Sequence, residues 1–241
     1  MSDPIPTDRK EVSTAQTELD TLLTHIELTM ISIIQGVALS FLVDRSYAVL
    51  VSLRIAFWPY AVTGLLTILL FWSRSVVHTV TVIRWPLDLP HNFMYIACTL
   101  VEAVAFTQLT NPLNWYALNA VFGLMAWALF ALDLRMIRRR IVDSSGAAGS
   151  RLYAIVEREQ SLNIRFFMPA IMVFNLLAMM MVWSQQVFFI QKGNHVIIAL
   201  VQVVAALGHL FYVMRFFARI VPLIVKTRQE WREGVLLQEE K

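Results

Sequence analysis

A glutamate stands inside an apolar run. Glu102 follows Cys98, Thr99, Leu100 and Val101 and precedes Ala103 and Val104, and no lysine or arginine sits at its depth in any other hydrophobic stretch. A carboxylate cannot stay ionised cheaply in hydrocarbon. Glu102 is therefore either protonated and hydrogen-bonded to groups such as Gln35, Asn175 or Gln202, or it faces water and a permeating cation. A second polar feature runs through Ala199, Gln202, Ala205, Ala206, His209 and Tyr212, at spacings of three and four, while Val203, Val204, Leu207 and Leu210 point elsewhere. Such a stripe must turn toward other helices or toward water. Hydrogen bonding between helices accounts for it without function, and a cavity lining is the functional reading.

His25, Glu27 and His209 fall at similar depths near one side of the same apolar segments. An imidazole beside a carboxylate can relay protons, and two histidines on facing helices can hold a b-type haem. Thr24 and Glu27 equally fit a local capping box. Beyond that haem possibility no motif calls for a cofactor or a metal. No G-x-G-x-x-G, P-loop, H-E-x-x-H or G-x-S-x-G is present, so phosphate, zinc and acyl chemistry lack their usual residues and no enzyme is expected. The single cysteine, Cys98, excludes an intramolecular disulfide and a thiolate zinc site.

These residues have to be positioned by membrane helices. Of 241 residues 58% are apolar and 15% charged, and mean hydropathy is +0.62, far from the composition of a soluble domain. The charges bunch between apolar runs of about 18 to 24 residues, each able to cross roughly 30 Å of hydrocarbon. The expectation is an all-α polytopic membrane protein with six transmembrane helices, at residues 22–43, 55–72, 93–109, 115–134, 166–190 and 195–214. Residues 1–21 form an N-terminal segment with an amphipathic lead-in, 135–165 a basic loop, and 215–241 a charged tail. Residues 75–92, with His78, Arg84, Trp85, Pro86 and Pro90, suit an interfacial connection. Asp133 with Arg135, and Asp44 with Arg45, are expected as interfacial charges at helix ends.

Six spans put both termini on one side. With the termini and the 135–165 loop cytoplasmic, only Arg45, Arg54 and Lys192 among the 20 basic residues fall outside, which the positive-inside rule favours. In a bacterium this is the inner membrane. Arg135, Arg138, Arg139 and Arg140 then face the anionic lipids of the cytoplasmic leaflet. Nucleic acid is a poorer partner, because the loop offers only Tyr153 for stacking. In the first helix Ser32, Gly36 and Ser40 make a small-residue stripe that admits a close helix neighbour or a symmetric contact, and Gly123 is a further packing position. A homo-oligomer or a larger membrane complex follows naturally from so small a subunit.

The stretch Ile31-Ser32-Ile33-Ile34-Gln35-Gly36-Val37-Ala38 resembles the first helix of small bacterial relatives of lysosomal potassium channels at one position, Ser32 of their Phe-Ser-Asp signature. Ile31 and Ile33 replace the diagnostic Phe and Asp, so no activity is carried over. Three functional readings remain from the residues: an ion- or proton-conducting oligomer, a non-conducting structural or regulatory subunit, and a haem-bearing redox protein.

Overall fold

The computed structural model describes residues 7–82, 88–143 and 147–239, and all regular structure among them is helical. Six stretches are long and apolar enough to cross a membrane: Thr21–Val51, Ile55–Thr81, Leu89–Phe106, Pro112–Arg139, Arg151–Ser184 and His195–Thr227. The helices are α1 (Thr7–Val51), α2 (Trp58–Val82), α3 (Leu89–Phe106), α4 (Pro112–Asp143), α5 (Ala147–Leu162), α6 (Met168–Ser184) and α7 (His195–Glu239). A π-helical turn, Asn163–Phe167, joins α5 to α6 without a break. Prolines open two helices, where a missing N–H costs nothing: Pro112 begins α4 and Pro90 lies in the first turn of α3.

The core is stacked in three layers along the bundle. At one end Tyr60, Phe106, Trp115, Val182 and Phe189 pack together. In the middle Ile31, Phe71, Tyr95, Phe130 and Met168 do so. At the other end Val77, Ile137, Leu152, Val156 and Ile220 close the bundle. The starts of α2, α4 and α7 therefore meet the ends of α3 and α6, so neighbouring spans run antiparallel. Outside these layers the surface is apolar: Ile33, Val104, Trp183, Val204 and Phe211 are each at least half exposed. In water such a surface would be untenable, whereas in lipid it is the solvent-matched face.

Most helix boundaries depart from expectation toward longer helices, although α3 ends at Phe106 and α6 at Ser184, short of the expected 109 and 190. α1 runs through Asp44 and Arg45, which are exposed and pair with each other at 3.5 Å, to Val51. α2 continues past Arg74 to Val82, so His78 is a helical residue rather than part of an interfacial connection. Arg84, Trp85 and Pro86 lie outside the described residues. The expected 135–165 loop is helical over most of its length. α4 extends to Asp143, and α5 packs Leu152 and Val156 against Ile137 of α4 and Ile220 of α7. Residues 144–146 lie outside the described residues. α7 carries helix through Pro222 into the tail.

Candidate functional site

The arginine-rich end of the bundle, where α1 enters and α7 leaves, holds a connected group of buried polar side chains. α2 supplies Arg74 and His78, one turn apart on its inner face. Asp88 caps α3 by accepting the backbone N–H of His91 at 3.2 Å, and this sets His91 and Asn92 in the first turn. α4 supplies Asp133, α5 supplies Glu159 and Gln160, and α1 supplies Glu27. All eight side chains are less than one-tenth exposed.

Two ionic centres organise the group. The Arg74 guanidinium donates to Glu159 Oε1 at 2.9 Å and to Asn163 Oδ1 at 2.9 Å. The Tyr212 hydroxyl donates to the other oxygen of Glu159. Asp133 Oδ1 lies 2.9 Å from His91 Nε2 and 3.5 Å from His78 Nε2, and the two imidazoles stack at 5.0 Å between ring centroids. Gln160 holds the second oxygen of Asp133 at 3.3 Å and the Phe130 carbonyl at 3.1 Å. Asn92 donates to Glu27 at 2.8 Å and turns its amide oxygen to His91 Nδ1 at 3.2 Å. Burying this many charges is costly unless each has a counterpart, and the pairing supplies one for Arg74 and Glu159.

Toward the centre of the bundle a smaller group surrounds Glu102, which is 1% exposed. Gln35 donates to Thr99 Oγ1 at 3.3 Å. Gln35 Oε1, Tyr95 Oη and both carboxylate oxygens of Glu102 have no hydrogen-bond partner. Unpaired polar atoms in such number are unusual in a protein interior. Glu102 lies four residues from the end of α3, nearer the opposite end than the expected 93–109 helix would place it.

The residues expected to form one polar path are thus divided among three places. Gln35 stays with Glu102. Asn175 and Gln202 instead join each other at 3.1 Å, and the Trp115 indole N–H donates to Gln202 at 3.0 Å. Their bonds are saturated and hold α4, α6 and α7 together. His209 packs on Phe167 at 4.8 Å and near Tyr212. On α7 Ala199 and Gln202 are buried, but Ala205 is exposed, so the small-residue face is narrower than its spacing implies.

His25 is exposed and its carbonyl accepts only from Thr29 among described contacts. It shares no site with Glu27, which turns inward, or with His209, so the histidine pair that a haem would need is not assembled. Ser32, Gly36 and Ser40 all face outward, and nothing lies within 4 Å of where a Cβ on Gly36 would sit. Gly123 does pack: a Cβ there would meet Met172 at 3.1 Å. Arg135 and Arg139 are exposed, Arg138 pairs with Glu157 at 2.8 Å, and the Arg140 side chain lies outside the described residues.

Asp133 is the clearest correction: it stands not at a helix end but inside α4, where it is buried at 5% exposure. His78, His91, Asn92, Glu159 and Gln160 were placed in connecting segments by their polarity, and Arg74 at a helix flank. A readable signal existed in the four-residue steps Arg74–His78 and Glu159–Asn163, which put polar pairs on one helical face flanked by apolar residues. Comparison with known protein families, curated proteins and solved structures returns no match. Fold and site define a class, an all-α integral membrane protein with six membrane-crossing helices and a buried ionisable centre.

Proposed function

We propose that the protein conducts protons or small cations through the membrane as an oligomer, with Glu102 as the group that binds the permeating charge. The observation that carries the reading is the Glu102 carboxyl, fully enclosed with neither oxygen engaged by the protein. An ionisable group so placed within a membrane span is suited to taking up a mobile charge, a proton or a cation. Gln35, Thr99 and Tyr95 line the approach from the middle of the bundle, and the ionic network of Arg74, Glu159 and Asp133 supplies polar groups toward the arginine-rich end. That end is cytoplasmic in this reading, since the basic residues concentrate there. The outward Ser32-Gly36-Ser40 stripe is the contact between subunits.

Flux into liposomes tests it. Wild-type protein should pass protons or potassium above the leak, and Glu102→Gln should fall to the leak level while keeping its oligomeric state. Equal, leak-level flux in both would sink the proposal. A second reading, a non-conducting subunit of a larger complex, is favoured by the saturated Asn175–Gln202–Trp115 contacts, which look like packing alone. Co-purification of a second membrane chain in gentle detergent, with no flux from the isolated protein, would select it.

A further inference from the structure

We propose that His78, His91 and Asp133 form a binding site for a divalent first-row transition-metal ion. The site is separate from Glu102; it shares Asp133 with the polar path proposed above, and its test reads ion retention rather than flux. Its donors come from three helices, α2, α3 and α4, and are each less than one-tenth exposed. Their ligand atoms lie within 4.8 Å of one another. An ion bound at about 2.0–2.2 Å holds neighbouring ligand atoms roughly 3–3.5 Å apart. The two carboxylate-to-imidazole separations, 2.9 and 3.5 Å, already have that length. Small rotations of the two rings close the remaining edge.

The hydrogen bonds around the donors argue for a cation among them. Asn92 spends its N–H on Glu27, so its oxygen faces His91 and accepts the Nδ1 proton. With that one proton on Nδ1, His91 presents the Nε2 lone pair to Asp133 at 2.9 Å, and the charge between the two atoms is then a metal ion or a second proton. Asp133 Oδ1 and His78 Nε2 accept or donate no hydrogen bond despite their closeness, so these atoms converge without meeting in line. Lone pairs that approach one another off-axis repel unless a shared positive charge lies between them. The outer contacts also follow the pattern of metal sites, in which the second ring nitrogen and the second carboxylate oxygen are held by neighbours. Here those neighbours are Asn92 and Gln160.

Charge and space agree. Among the described buried residues three carboxylates, Glu27, Asp133 and Glu159, accompany one guanidinium, Arg74, so with neutral imidazoles the formal excess within that set is two negative charges, which a divalent ion matches. A cavity of about 20 Å³ beside His78, Asp133 and Gln160 has room for one water-sized ligand. Two nitrogens and one carboxylate favour zinc, iron, manganese or cobalt over calcium or magnesium.

Full-length protein in detergent, stripped with a chelator and exposed to Zn²⁺ alone, should retain one ion per chain after desalting and melt at a higher temperature. His91→Ala and Asp133→Asn should each weaken Zn²⁺ at least about tenfold, and His25→Ala, an exposed histidine, should not. Wild type that retains no more Zn²⁺ than a His78→Ala/His91→Ala double variant would overturn the proposal and leave a proton as the charge shared by His91 and Asp133. If the variants do not fold, X-ray absorption on Zn²⁺-loaded wild type decides: two imidazole ligands support the site, and an oxygen-only shell refutes it.

Discussion

Arg74 is the residue whose loss the fold should feel most. Its guanidinium is 8% exposed, on a side chain that reaches Glu159 and Asn163 together. Arg74→Met removes one partner of a buried pair and strands the other, which costs about 3–5 kcal/mol. The double variant Arg74→Met/Glu159→Leu should recover most of that, because two apolar side chains leave no unpaired charge. Thermal unfolding in one detergent compares the two, and equal losses in single and double variants would contradict the pairing. Gly193 offers a smaller test. It turns the chain into α7 with φ of +74°, a left-handed conformation that costs a side chain about 1–2 kcal/mol, so Gly193→Ala should lower the melting temperature modestly.

At the scale of elements, hydropathy located every span but misjudged where each one stops. The reason is visible in particular residues. Arg74, Asp133 and Glu159 resemble helix ends in a linear reading, because an isolated charge is expensive in lipid. Their partners lie 85 residues away for Arg74 and Glu159, and about 40 away for His91 and Asp133, beyond the reach of local pattern. Gly123 was legible because its residue type alone suggested packing, whereas Asn175 and Gln202, expected beside Glu102, join each other instead. Gly64 was not: a Cβ there would sit 2.8 Å from Leu42 and 3.1 Å from Phe106, where α1, α2 and α3 meet. Substituting Gly123 or Gly64 by leucine should cost about 1–3 kcal/mol through overpacking. Gly36→Leu, by contrast, should leave the melting of the single chain unchanged. Differential scanning fluorimetry on the three variants checks the contrast.

For the whole molecule the first question is direction. In a Cys98→Ser background, Arg139→Cys should react with a membrane-impermeant thiol reagent only from the cytoplasm, and Asn114→Cys only from outside. The reverse pattern would invert the proposed orientation. Assembly is tested by Gly36→Cys, which should cross-link between subunits if the outward stripe of α1 is the shared contact. The last consequence concerns the π turn at Asn163–Phe167, where Ile164 gives its carbonyl to the Trp127 indole at 3.1 Å. One residue more than an α-helix needs is wound into that turn, and each residue of α-helix advances the side chains by about 100°. Deleting Ile164 would let α5 and α6 fuse into plain α-helix, with only the N–H that Pro169 lacks missing from the ladder around the junction. Yet α5 would turn by roughly a quarter of a revolution against α6, carrying Glu159 off Arg74 and Gln160 off Asp133 in one stroke. A frame-preserving loss of three nucleotides would act as a substitution of the whole helix.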